Sequence, residues 1–177
     1  VKRALLELRT LRGRLEATEG RLHAPIAVVG MGLRLPGGVE DADGLEQLLW
    51  GGIDAVGDIP GERWPMEILF NADPDTPGKM STRFGGFLNN VDAFDAAFFG
   101  ISAREAVSMD PQQRLLLELA WECLENAAIA PDSLGGSRMG VYVGMGNVDY
   151  SRATFPNTDL IDPYFATGAC SSVAAGR

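Results

Sequence analysis

From Val1 to Leu22 apolar residues recur in steps of three and four: Val1, Ala4, Leu8, Leu11, Leu15 and Leu22, with Thr18 at the remaining seam position. This is the a/d pattern of a coiled-coil helix over about three heptads. The helix is predicted to stop at Ala24-Pro25, because a residue before proline is pushed out of the helical region. Gly13 and Gly20 each cost roughly 1 kcal/mol against alanine in a helix. A helix of this length is marginal alone and gains from pairing.

Beyond Pro25 the pattern changes. Ile26-Ala27-Val28-Val29, closed by Gly30, is a short apolar run that predicts a buried strand, and Gly140-Val141-Tyr142-Val143-Gly144 predicts another. Asp43-x-x-Glu46 predicts the start of a short helix through Leu45, Leu48, Leu49 and Trp50, stopped by Gly51-Gly52. Residues 57–83, rich in Pro, Gly and Asp, read as a long irregular excursion of the kind that is functional or an interface. Ser102-x-x-Glu105 is a capping box for a helix ending near Met109. Asp110-Pro111-Gln112-Gln113 starts the longest helix of the body, with Asp110 as cap, proline at the first helical position and Gln113 as reciprocal partner. It runs to about Ala128 and is apolar on several faces, so it is expected to be largely buried. Residues 145–162 read as a polar loop and Ser171 to Arg177 as the opening of a helix. Strands interleaved with helices define an α/β class, with helices covering a sheet.

Composition narrows the class. The chain has 177 residues, 46% hydrophobic and 22% charged, as expected of one globular domain. No apolar stretch approaches a membrane span and no secretory signal opens the chain, so no membrane partner is expected. Both ends, at Val1 and at Arg177 inside an apolar-rich segment, read as cuts. Residues 1–23 carry six Lys and Arg against three Glu, or +3, within a total of −9, leaving −12 on the remainder. An acidic body argues against nucleic acid, whose phosphates need Lys and Arg. Cys123 and Cys170 lack metal-ligand spacing and make no disulfide framework. Cys123, inside the Leu/Ala/Trp helix, reads as a small buried apolar residue, and a reducing, cytoplasmic compartment fits. Gly30-Met31-Gly32 follows a strand signal, but Leu35 stands where a dinucleotide fingerprint needs its third glycine. Pro36-Gly37-Gly38 prevents a helix from starting there, so no pyrophosphate cradle is expected.

Four segments together carry a resemblance: Pro25-Ile26-Ala27-Val28-Val29-Gly30, Phe84-Gly85-Gly86-Phe87-Leu88, the run from Phe94 through Ser102, and Asp110-Pro111-Gln112-Gln113-Arg114. Their order resembles the β-ketoacyl synthase domain of modular type I polyketide synthases over nearly everything from Pro25 to Arg177. The resemblance implies a docking or linker helix over residues 1–24, then, over 25–177, the incomplete N-terminal part of a thiolase-like layered α/β/α fold. It also implies a homodimer in the intact synthase, and an acyl carrier protein as partner, with phosphopantetheine on that carrier and no cofactor on this chain. An upstream synthase subunit would pair through residues 1–24. The intact enzyme would perform decarboxylative Claisen condensation of acyl and malonyl-type thioesters.

Ala169-Cys170-Ser171-Ser172 is similar to the context of the family's nucleophilic cysteine. Its flanks, Tyr164 to Gly168 and Val173 to Arg177, instead resemble the segment that precedes the nucleophile, so Cys170 is not assigned to catalysis. The resemblance gives Phe165 a place lining the acyl pocket, beside the simpler reading of a core aromatic before a helix. Condensation in the family uses two histidines and a lysine, whereas this chain holds a single histidine, His23, at the end of the basic helix. The catalytic cysteine, histidines and lysine are expected beyond Arg177, and the chain alone is expected to be inactive. Two alternatives stay open: a non-catalytic interaction or docking module, and a split condensing enzyme using Cys170 with histidines from another chain.

Overall fold

The computed structural model describes residues 2–147, 149–154, 156 and 161–177, with nothing said of the side chains of residues 153 and 154. The N-terminal segment is one helix, α1 (Lys2–Leu22), exposed along its whole length. Leu8, Leu11, Leu15 and Leu22 all face solvent; Val1, the first seam position, lies outside the described residues.

Helix α2 (Ala42–Trp50) starts slightly earlier than the sequence predicts. Asp41, in extended conformation, accepts from Gly44 N at 2.7 Å, and Asp43 sits in the first turn instead. There its charge still faces the helix N-terminus favourably. Gly51 ends the helix as expected, its N–H bonding Gln47 O, and Gly52 follows at φ +58.

Residues 57–83 are less irregular than their composition suggests. Strand β1 (Gly57–Asp58) pairs antiparallel with β2 (Phe84–Gly85), Gly57 opposite Gly85, and Arg83 Nε donates to Asp58 at 2.7 Å. Further along, Asn71 N donates to Met80 O at 2.9 Å beyond the short helix α3 (Met66–Leu69). Pro, Gly and Asp mark the turns of this excursion, but its closure depends on pairing across more than 20 residues, which local composition does not encode.

The two apolar runs expected to be buried strands are not strands. Neither Ile26–Val29 nor Gly140–Gly144 has a ladder partner, and among the described residues the sheet is the two-stranded one. Ile26 is 94% and Tyr142 95% exposed. A doubly covered strand needs neighbours at its edges and on both faces, and these runs have none here. Gly30 and Gly32 do have a role: a Cβ at Gly32 would lie 2.6 Å from Leu119 O, and one at Gly30 would overlap Cys123 O. The pair therefore lets the backbone press against the next long helix, where Met31 N also bonds Asn126 Oδ1 at 3.1 Å.

That helix, α5 (Pro111–Asn126), follows α4 (Ala103–Ser108) across a sharp corner. Ser102 caps α4 through Glu105 N, and Asp110 caps α5 through Gln112 N at 2.9 Å. At its end Ala128 takes a left-handed φ of +55, with Ile129 N bonded to Leu124 O and Ala128 N to Glu125 O, the Schellman pattern. Contrary to the expectation of a largely buried helix, only Gln113 is buried; the leucines, Trp121 and Cys123 are half-buried and Ala120 is exposed. One side is covered by an aromatic cluster: Phe98 meets Trp121 edge-on at 4.7 Å, and Phe94 stacks on Phe99 at 5.5 Å. Arg34 pairs with Glu122 nearby, a charge-assisted bond that raises the guanidinium pKa further.

After a 3-10 turn (Pro131–Leu134) come α6 (Asp149–Thr154), α7 (Phe165–Ala169) and α8 (Ser171–Ala174). The expected polar loop at 145–162 thus contains a helix; Val148, Phe155 and Asn157–Leu160 lie outside the described residues. Buried apolar side chains are few: Val39, Ile59 and Met109 among the described residues. The accessible surface is 13473 Å², whereas a compact monomer of 18.9 kDa exposes about 8,300 Å².

Candidate functional site

The tightest part of the molecule is the α4–α5 corner and the segment 162–177 laid against it. Met109 is fully buried at the corner, and Asp110 is 3% exposed. Asp110 N donates to Gly168 O at 3.0 Å. Gly168 lies so close to the backbone of Ser108 and Met109 that a Cβ would overlap Ser108 O. Gly168→Ala is therefore expected to lever the segment off the corner, at a cost of roughly 2–4 kcal/mol. Limited proteolysis comparing cleavage between residues 161 and 177 in the two proteins checks it.

Side chains complete the attachment. Gln113, expected to serve as a capping-box partner to Asp110, instead turns away from its own helix start. Its Nε2 donates toward Gly168 O at 2.9 Å, Cys170 O at 3.1 Å and Thr167 O at 3.3 Å. Its Oε1 accepts from Arg177 Nε at 2.8 Å, and Arg177 bonds Glu105 at 2.7 Å. Asp110 already satisfies Gln112 N, so the cap does not need Gln113, while the apposed carbonyls do. Asp162 anchors the other end: it accepts from Tyr164 N and Arg104 Nε at 2.9 Å and from Ser108 Oγ at 3.2 Å. Desolvation pushes the Asp162 carboxyl up, but these hydrogen bonds outweigh it and hold the group below the usual carboxylate range. Arg114 donates to Met109 O and lies over the Tyr150 ring, which ties α6 to the same corner.

This segment carries both residues singled out from the sequence. Phe165 is the first residue of α7 and is half-buried; Cys170 stands exposed at the α7–α8 junction. The Cys170 thiol is held below its ordinary range, first by the hydrogen bond with Ser172 Oγ at 3.0 Å, then by the Ser172 and Val173 backbone N–H groups. Neither a histidine nor a cation contributes to that shift. His23 is exposed just beyond α1. Among the described residues no three His, Cys, Asp or Glu side chains converge as a metal site. A cleft of about 280 Å³ between Arg34, Val39, Asn90, Phe94 and Glu118 draws no residue from 161–177. Sequence reasoning missed the meeting of Glu105, Gln113 and Arg177, since Glu105 and Gln113 each had a local explanation as capping partners and the contact with Arg177 is long-range; Asp162 carried no local signal.

Comparison with known proteins fits this architecture. Residues 23–177 match the family described as Beta-ketoacyl synthase, N-terminal domain. The chain is 48% identical over 153 residues to a phenolphthiocerol/phthiocerol polyketide synthase from Mycobacterium tuberculosis (strain CDC 1551 / Oshkosh), covering 86% of this chain and 8% of that protein. Over 178 residues it is 44% identical to Polyketide synthase GfsB of Streptomyces halstedii, covering all of this chain and 3% of that one. Among solved structures, the oxazolomycin ketosynthase domain OzmH KS7 of Streptomyces albus JA3453 superposes with a TM-score of 0.72 at 30% identity, over 83% of this chain and 26% of that chain. The chain belongs to the β-ketoacyl synthase N-terminal domain family, and its α/β fold is the N-terminal part of the thiolase-like ketosynthase fold. It spans less than a tenth of the length of these curated relatives.

Proposed function

We propose that this chain forms the N-terminal part of a ketosynthase in a modular type I polyketide synthase, a cytoplasmic enzyme. The whole enzyme takes an acyl chain from an acyl carrier protein and extends it with a malonyl-type unit by decarboxylative Claisen condensation. The observation that carries the reading is the 48% identity to a polyketide synthase over 86% of this chain. Phosphopantetheine belongs to the carrier protein in this reading, and the synthase is a homodimer. Helix α1 serves as a docking helix, pairing with its own copy or with an upstream synthase polypeptide.

The chain's residues support structure here more than chemistry. Condensation needs a thiolate, activated by a base, cation or helix terminus, and donors for the developing oxyanion. Cys170 has a serine neighbour and a helix of four residues, and the single histidine lies outside the α4–α5 corner. Loss of even one oxyanion donor costs ~10²–10³ in rate. In this reading the nucleophile, histidines and lysine lie outside residues 1–177, and this chain alone is inactive. Phe165 lines the acyl pocket.

The depressed Cys170 thiol is the one observation that favours the split-enzyme alternative. Cys170→Ala in the full-length synthase separates the two readings. Covalent acylation from an acyl thioester, followed by intact-mass spectrometry, is expected to be unchanged. Loss of the adduct in this single variant would make Cys170 the nucleophile.

A further inference from the structure

Two exposed apolar helix faces of this chain are flanked by opposite charge. On α2, Ala42, Leu45, Glu46, Leu49 and Trp50 fall on one helical stripe, and with Met31 they line an open groove of about 490 Å³. Leu49 is 67% and Trp50 84% exposed. Glu46 accepts from Trp50 Nε1 at 3.1 Å, so the indole's one donor is satisfied and the rest of the ring is presented as apolar surface. The surroundings are acidic: Leu35 to Gly61 holds six Asp and Glu, with no Lys or Arg among them. Helix α1 is the complement. Its Leu8, Leu11 and Leu15 are exposed, and the residues flanking that part of the seam, Arg12 and Arg14, are both basic. The lengths agree as well: the nine residues of α2 span about 14 Å, and Leu8 to Leu15 about 11 Å. Leu22 and Met31 are nine positions apart, at most about 32 Å of extended chain, which is about the length of α1 itself. The groove is therefore within reach of α1 of the same chain. A tether of this length gives α1 an effective concentration that a separate helix would have to match in solution.

We propose that the α2 groove is a seat for α1 of the same chain, with Leu8, Leu11 and Leu15 packed on Leu45, Leu49 and Trp50 and with Arg12 and Arg14 against Asp43 and Glu46. The structure holds the open arrangement, in which both faces are exposed. Seated, α1 hides the seam through which it would pair with another helix, so seat and pairing exclude one another. The apparent affinity of that pairing is then lowered by the fraction of α1 that is seated. The seat itself does not depend on the docking reading of α1.

The test replaces Trp50 by p-benzoylphenylalanine in the full-length synthase and reads photochemical capture by peptide mass spectrometry and denaturing electrophoresis. Capture of residues 2–22 within one polypeptide, whose mass stays that of a single chain, is expected. Arg12→Glu with Arg14→Glu is expected to lower the captured fraction about fivefold, the scale of two exposed ion pairs. Adding Asp43→Lys with Glu46→Lys is expected to restore it. If the protein substituted at Trp50 fails to fold, the same photoreactive group at Leu11 is expected to capture residues 42–50. Capture at twice the polypeptide mass would give the groove to a second copy, and capture of residues outside 2–22 would give it to another part of the synthase. Either result overturns the proposal, as do no capture at all and a yield indifferent to the charge reversals. Association between polypeptides without capture overturns the seat alone, whereas capture without association supports the seat and removes the docking role from α1.

Discussion

Replacing Leu11 and Leu15 together by aspartate is expected to abolish association through α1. Both side chains are exposed in the isolated helix, as are Leu8 and Leu22 on the same seam, and α1 buries none of its residues. Burying two carboxylates in such a seam costs several kcal/mol, more than a three-heptad coiled coil can lose. For the proposed pairing of α1, the flanking charges favour one alignment. With Leu8, Leu15 and Leu22 at a, the g residues Glu7 and Arg14 fall opposite Arg12 and Glu19 at e of a parallel, in-register second copy. All interior rungs are then attractive, whereas the antiparallel alignment that pairs Leu8 with Thr18 sets Arg12 against Arg12. Within one helix Arg12 already pairs with Glu16 at 3.1 Å, an exposed i,i+4 contact that is weak enough to be exchanged. Sedimentation of the full-length synthase and of the double variant decides the matter: unchanged association between synthase polypeptides would remove the docking role from α1.

Residues 25–177 produced without α1 are expected to self-associate. Ile26, Val28, Val29, Val141 and Tyr142 are mostly exposed, and Trp50 is 84% exposed beside Leu49. The chain's surface exceeds that of a compact monomer of its mass by on the order of 5,000 Å². The solitary α1 accounts for part of this; the apolar runs at 26–29 and 140–144 account for another part. Contiguous apolar surface without a partner promotes association. Light scattering alongside calorimetry is expected to show soluble aggregates or a loosely packed state with no sharp transition. A monodisperse monomer with a two-state transition would show that these residues complete a domain, and would overturn their reading as part of a larger ketosynthase unit.

How much of this was legible in the sequence follows from the range over which each feature is decided. Ser102 and Asp110 were identified as caps and serve as caps, because a cap is settled within three residues by one oxygen and one N–H. The helix α1, its stop at Pro25 and the family of the chain were legible for the same reason: periodicity, proline sterics and contiguous motifs are properties of neighbouring residues. Asp43 was misplaced by two positions since both Asp41 and Asp43 satisfy the local rule, and the geometry of the chain arriving through the Leu35–Val39 bridge decides between them. The apolar runs at 26–29 and 140–144 read as strands because composition reports what a segment can bury, while a strand exists only when another edge supplies its hydrogen bonds. Gln113 shows the difference most clearly. Its sequence position promised a reciprocal cap; its tertiary position, opposite three carbonyls more than 50 residues away, offered the amide partners that would otherwise be buried unbonded. Local chemistry determined where helices begin and which family the chain joins. Only the folded corner decided which polar groups had to meet there, since an unpaired buried carbonyl costs more than an optional second cap contributes.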